Sequence, residues 1–93
     1  MVVRKTTTLS KAFGITLARL RKKKKWNQET LAFEADITRN YVSLLERGLA
    51  SPTLNTIDTL AASLETDAAQ LVQLALEELH TQMAALQGYS RRP

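Results

Sequence analysis

Cysteine is absent from the 93 residues, so neither a disulfide framework nor a thiolate metal site is available. That usage suits a reducing compartment, and the cytoplasm is the expected location. A single histidine forms no cluster, and three glycines and two prolines make no glycine-rich phosphate loop. With no paired carboxylates in a plausible cleft either, the sequence predicts no enzyme, no metal and no cofactor. No apolar run approaches the ~20 residues of a membrane span. The opening MVVRKTTTLS also lacks the apolar core of a signal peptide. This length gives room for one domain with a modest core and none for a separate ligand-sensing domain. Regulation is expected through concentration, dimerisation or a partner.

Acidic charge is scarce where basic charge is dense. Residues 1–50 carry 11 Lys/Arg against 4 Asp/Glu, whereas residues 51–93 carry 2 against 5. A basic half joined to an acidic half implies one face for nucleic acid and another turned away from it. The run Arg21 to Lys25 is five consecutive cations. Part of it suits nonspecific attraction to phosphates and the rest solubility. A basic amphipathic membrane helix is the weaker alternative, because the apolar face already has a core to join.

The stretch from Asn27 to Gly48, NQETLAFEADITRNYVSLLERG, organises the chain. Leu31, Ala32 and Ala35 put an apolar stripe on a helix that Asn27 can cap, and Asp36 and Ile37 interrupt it. Thr38 is a second cap. On the helix it opens, Val42 and Leu45 share the inner face with Tyr41 beside them, and Gly48 is the left-handed stop. Asn40, Ser43, Leu44 and Arg47 then face outward, with Arg39 on the flank. Two short helices joined by a tight turn are the arrangement that lays a second helix in the major groove. Residues 38–47 span roughly 15 Å, comparable to a groove about 12 Å wide.

Around this stretch, residues 1–10 read as a flexible N-terminal arm. Its Arg4 and Lys5 either follow DNA or belong to a disordered tail. The domain proper is 11–87. Ser10 is expected to cap a first helix over 11–23 with Phe13, Leu17 and Leu20 on one face, and Trp26 to pack over the corner that follows. After a loop at 49–53, Thr53 caps a fourth helix whose core stripe is Leu54, Ile57, Leu60, Ala61 and Leu64. Asp67 with Gln70 opens a last helix over 68–87, which Gly88 is expected to end, leaving a tail at 88–93. Leu71, Leu74 and Ala75 close the core. His80 reads as a surface residue. Val72, Leu76, Leu79, Met83 and Leu86 recur at heptad spacing along the same helix, a seam suited to a second copy across a two-fold axis. The fold class expected is all-α, a compact five-helix domain.

The chain resembles the lambda-repressor/Cro helix-turn-helix family over about residues 12–76. The likeness rests on Phe13-Gly14, Leu17, Leu20-Arg21, Gln28-Glu29, Leu31-Ala32, Val42-Ser43, Leu45-Glu46, Gly48, Pro52 to Leu54, Leu60-Ala61 and Leu64. Two positions depart from the family pattern. Asp36 stands at the usual turn glycine and Lys25 where glycine often precedes helix 2; Asp tolerates a positive φ at small cost. The Thr-Arg-x-Tyr-Val-Ser run beginning at Thr38 also looks like the controller proteins of restriction-modification systems.

The resemblance implies a motif over 28–47 and places base contacts on Arg39, Asn40, Ser43 and Leu44. Arg suits guanine, Asn suits adenine, and Leu44 suits a thymine methyl. It implies backbone contacts from Asn27 and Gln28 at the start of helix 2 and from Lys24 in the cationic run. Thr38, Tyr41 and Arg47 are further backbone candidates, Asn27 being compatible with capping as well. It also implies a structural ion pair between Arg21 and Glu46. The function expected is sequence-specific binding of double-stranded DNA by a homodimeric transcription regulator, with the helix over 38–47 reading an inverted-repeat operator. Steric exclusion of polymerase would make it a repressor and recruitment an activator. The alternative is the antitoxin of a toxin-antitoxin pair, with a toxin as its partner.

Overall fold

The computed structural model describes residues 8–90, with side chains to 85. Five helices follow in order: α1 (Leu9–Lys23), α2 (Gln28–Ala35), α3 (Arg39–Glu46), α4 (Leu54–Ser63) and α5 (Ala68–Ser90). Each begins on a short polar side chain that takes up a first-turn amide. Thr8 Oγ1 accepts from Lys11 N at 3.2 Å, Asn27 Oδ1 from Thr30 N at 2.8 Å and Thr38 Oγ1 from Tyr41 N at 3.0 Å. Thr53 Oγ1 accepts from Thr56 N at 3.1 Å and Asp67 Oδ1 from Gln70 N at 2.8 Å.

The first four helices stop in one way. A residue in the left-handed region turns the chain, and two amides beyond the helix reach back to its last free carbonyls. The turning residues are Lys25 (φ 64°), Asp36 (φ 57°), Gly48 (φ 73°) and Glu65 (φ 62°). Behind them Trp26 N donates to Arg21 O, Ile37 N to Ala32 O, Leu49 N to Leu44 O and Thr66 N to Ala61 O, at 2.8 to 3.2 Å. Only one of the four is glycine.

The core joins Phe13 and Leu17 of α1 to Leu31, Ala32 and Ala35 of α2, Val42 and Leu45 of α3, Leu60 and Ala61 of α4, Leu64 just beyond it, and Leu71 and Ala75 of α5. Trp26, Leu20, Ile37, Tyr41 and Ile57 pack against it from the edge. Helix α1 lies against both α3 and α5. Its approach to α3 requires Gly14, because a Cβ there would stand 2.3 Å from the Leu45 carbonyl oxygen. Gly48 serves both the left-handed turn and a close pass over Lys11, whose Cα would lie 2.9 Å from an added Cβ.

Three sequence expectations are corrected. Thr8, not Ser10, caps α1, so the helix starts two residues earlier than expected and the arm cannot extend to residue 10. Helix α5 runs through Gly88 to Ser90 instead of ending before it. A glycine costs a helix only ~1 kcal/mol relative to alanine and stops it only where the chain also turns left-handed. Leu54 is 83% exposed and lies outside the α4 core stripe. As the first helical residue its side chain leans past the end of α4. Leu74 sits half-buried beside the core formed by Leu71 and Ala75. Residues 1–7 and 91–93, and with them Arg4, Lys5 and the last three residues of the expected tail, fall outside the described residues, as does the side chain of Leu86. Among the described residues no helix is long and apolar enough to cross a membrane.

Candidate nucleic-acid interface

Helix α3 is fixed from within by Val42 and Leu45, both fully buried. At its C-terminal end Glu46 turns inward to Arg21 of α1, with Arg21 Nε 2.6 Å from Glu46 Oε2 and Nη2 2.9 Å from Oε1. Arg21 spends its remaining amine on the Trp26 carbonyl at 2.8 Å. Gln28 Nε2 donates to the same Glu46 Oε1 at 2.9 Å. The two charged side chains are only 10% and 6% exposed, so water cannot stand in for these partners. The hydrogen bond to Glu46 raises the Arg21 pKa, burial opposes that rise, and the carboxylate charge adds to it. One carboxylate therefore ties together α1, the start of α2 and the end of α3.

The opposite edge of α3 is open. Thr38, Arg39, Asn40 and Arg47 are exposed, while Tyr41, Ser43 and Leu44 are half-buried. Arg47 folds back along the helix, its Nε donating to Ser43 Oγ at 3.2 Å and to Ser43 O at 3.3 Å. This occupies an acceptor site on the Ser43 hydroxyl and leaves its proton free to donate. Beside that edge, Arg21, Asn27, Gln28, Glu29 and Arg39 line an open recess of about 560 Å³ at the N-terminus of α2. Free amides of the first turn and the positive end of the helix make such a place favourable to an anion.

The structure thus brings Asn27, Gln28 and Arg39 to one recess, with the Arg21–Glu46 pair beneath. Lys24 is turned elsewhere. Its Nζ lies 3.3 Å from Glu65 Oε1 and 4.9 Å from the centre of the Trp26 ring. Sequence reasoning did not find the Gln28–Glu46 hydrogen bond, the Trp26 carbonyl as an acceptor for Arg21, or Glu29 at the recess. Contacts between residues 18 apart, as with Gln28 and Glu46, leave no periodic trace in a sequence.

On the far side of the body, α5 carries two stripes. Leu71 and Ala75 are buried against the core. Val72, Leu76 and Leu79 are half-buried, and Met83 is 38% exposed. A helix of 23 residues is about 34 Å long, and its distal turns run beyond the core.

Residues 17–71 match the helix-turn-helix family. Over 64 residues the chain is 36% identical to y4dJ of Sinorhizobium fredii, described as an uncharacterized HTH-type transcriptional regulator, covering 69% of this chain and 83% of that one. The restriction-modification controller protein C.AhdI of Aeromonas hydrophila is 39% identical, with a TM-score of 0.65 over 67% of this chain and 94% of its own. The clp gene regulator ClgR of Corynebacterium glutamicum superimposes with a TM-score of 0.81 at 25% identity, over 90% and 88% of the two chains. On a match that spans more than half its length and an open α3 edge held on a buried one, the chain belongs to the helix-turn-helix family of Cro/C1-type DNA-binding transcription regulators.

Proposed function

We propose that the protein binds double-stranded DNA sequence-specifically as a homodimer, reading an inverted-repeat operator with the helix over 38–47. The observation that carries this is the two-sidedness of α3. Val42, Leu45 and Glu46 hold its inner edge in place while Arg39 and Asn40 stand exposed on the other. In this reading Arg39 takes guanine O6 and N7, Asn40 takes adenine N6 and N7, Ser43 donates to a base edge and Leu44 meets a thymine methyl. Asn27, Gln28 and the first amides of α2 receive a phosphate in the recess, and Thr38, Tyr41 and Arg47 hold the flanking backbone. Lys24, paired at the surface with the exposed Glu65 carboxylate, remains a candidate backbone contact, since such a pair is weak enough to give way to a phosphate.

The homodimer is supported by the second α5 stripe, Val72, Leu76, Leu79 and Met83, whose side chains the chain's own core leaves partly uncovered. A two-fold pair would present two α3 edges to half-sites about one helical turn apart. Function then lies in occupancy near a promoter, not in chemistry. The relatives favour a regulator over an antitoxin. A charge placed mid-stripe tests the reading. Leu79→Glu is expected to give a folded monomer by light scattering that binds an inverted repeat no better than a single half-site, and an unchanged dimer mass would contradict it.

A further inference from the structure

Ser43 and Arg47 stand one turn apart on the outward edge of α3, and their side chains meet. Arg47 Nε donates at once to Ser43 Oγ at 3.2 Å and to Ser43 O at 3.3 Å. The terminal amines of Arg47 make no hydrogen bond among the described residues, and the Ser43 hydroxyl donates to none of them. A helical serine can spend its proton on the carbonyl one turn back, but Ser43 makes no such bond to Arg39.

We infer that Arg47 is a positioning residue that sets Ser43 as a donor toward base edges, so that the operator position beneath Ser43 excludes cytosine; the inference rests on the base reading proposed above and names what fixes one of its contacts. A serine hydroxyl has one proton and two lone pairs, and left to itself it rotates to suit either kind of partner. A guanidinium N–H on one lone pair removes that freedom. It turns the proton away from Arg47, and its charge makes the oxygen a stronger donor and a poorer acceptor. In the major groove guanine shows N7 and O6, adenine N7 and thymine O4 as acceptors, whereas cytosine shows only its N4 amino donor. An oriented hydroxyl donor therefore tolerates three bases and rejects the fourth.

Arg47 can do this while holding the duplex. Its Nε serves Ser43 and its two terminal amines stay free for a phosphate, a division that the planar guanidinium fork allows and a lysine ammonium, a point charge, does not. A phosphate so held pins the fork against Ser43 in turn, since both partners are bound by one rigid group. In water the exposed contact is weak. At a closed DNA interface, where fewer waters compete, the same hydrogen bond orients more strongly.

The test compares full chains of the unsubstituted protein, Ser43→Ala, Arg47→Lys and the double variant, each used to select from a pool of duplexes randomised across both half-sites. The unsubstituted chain is expected to deplete cytosine about fivefold or more at one position of each half-site. Ser43→Ala and Arg47→Lys are each expected to lose that depletion at that same position while other preferences persist, and the double variant to lose no more than either one, as coupled groups do. Arg47→Met replaces the lysine variant should the latter lose its helical circular dichroism. An Arg47→Lys chain that still rejects cytosine where Ser43→Ala does not, or that weakens on every duplex alike, overturns the inference and leaves base reading by α3 standing. So does a Ser43→Ala chain whose preferences are unchanged. A pool from the unsubstituted chain with no enriched sequence overturns base reading itself, and the inference with it.

Discussion

Arg21 divides its donors between the Glu46 carboxylate and the Trp26 carbonyl, and Gln28 completes the satisfaction of Glu46. The pair is nearly closed to solvent, so deleting one member leaves the other charge largely buried without its partner. Glu46→Ala is expected to lower the unfolding free energy by about 3 to 5 kcal/mol in a urea titration. That is much of the total for a domain this size, and a loss below ~1 kcal/mol would show that the pair behaves as a surface contact. On the arginine side the pair is not a pH switch. Because its pKa is raised, its contribution is complete below the ordinary arginine value and is lost only as pH climbs through the raised one. Across neutral pH, Arg21 therefore adds no slope to stability.

At the scale of the helix, the left-handed residues at the ends of α1, α2, α3 and α4 set where each one stops. A non-glycine side chain in that region costs roughly 1–2 kcal/mol, and three of the four positions carry it. Lys25 is exposed and makes no side-chain hydrogen bond or ion pair among the described residues. Lys25→Gly is expected to raise stability by about 0.5–1 kcal/mol after the extra entropy of an unfolded glycine is counted, which is several degrees in melting temperature. A fall in melting temperature would contradict the strained-stop account.

The same ends explain what was legible in the sequence. Asn27, Thr38, Thr53 and Asp67 are caps recognisable by type and by the stripes that follow them, and Gly48 is a stop recognisable by its glycine. Asp36 is legible as a turn because it interrupts the α2 stripe and stands at the family's turn glycine, and its residue type tolerates a positive φ. Glu65 gave no sign, since nothing local distinguishes it from a helical glutamate. At the start of α1, Thr8 and Ser10 are chemically equivalent caps, and the choice between them falls to packing. Gly88 misled in the opposite sense, a glycine without a turn. The open edge of α3 followed from periodicity alone. The inward turn of Gln28 did not, because an amide's partner is fixed by tertiary placement.

Across the whole molecule, charge and shape divide the work. The basic excess lies in residues 1–50, which hold α1, α2 and α3, and the acidic excess lies in residues 51–93, which hold α4 and α5. This separation places α5, the proposed dimer element, on the acidic side and leaves the basic side to the duplex. Affinity for DNA is expected to fall linearly in log–log form with salt, by a slope of about −0.9 per phosphate contact. On the proposed contacts, with a phosphate at each α2 recess and at Thr38, Tyr41 and Arg47 of two copies, the slope amounts to several such units. A titration flat with salt would contradict the phosphate-anchored account.

If the outward edge of α3 reads bases, Arg39 is the residue to probe, because it is exposed and makes no hydrogen bond among the described residues. The measurement is the affinity of the unsubstituted chain and of Arg39→Ala for an operator and for a set of duplexes that each change one base pair of it. The account predicts that Arg39→Ala costs about 1–3 kcal/mol on the operator and erases discrimination at one base pair in each half-site, with preference elsewhere intact. An equal loss on every duplex, with all preferences preserved, would make Arg39 a phosphate contact and contradict the claim.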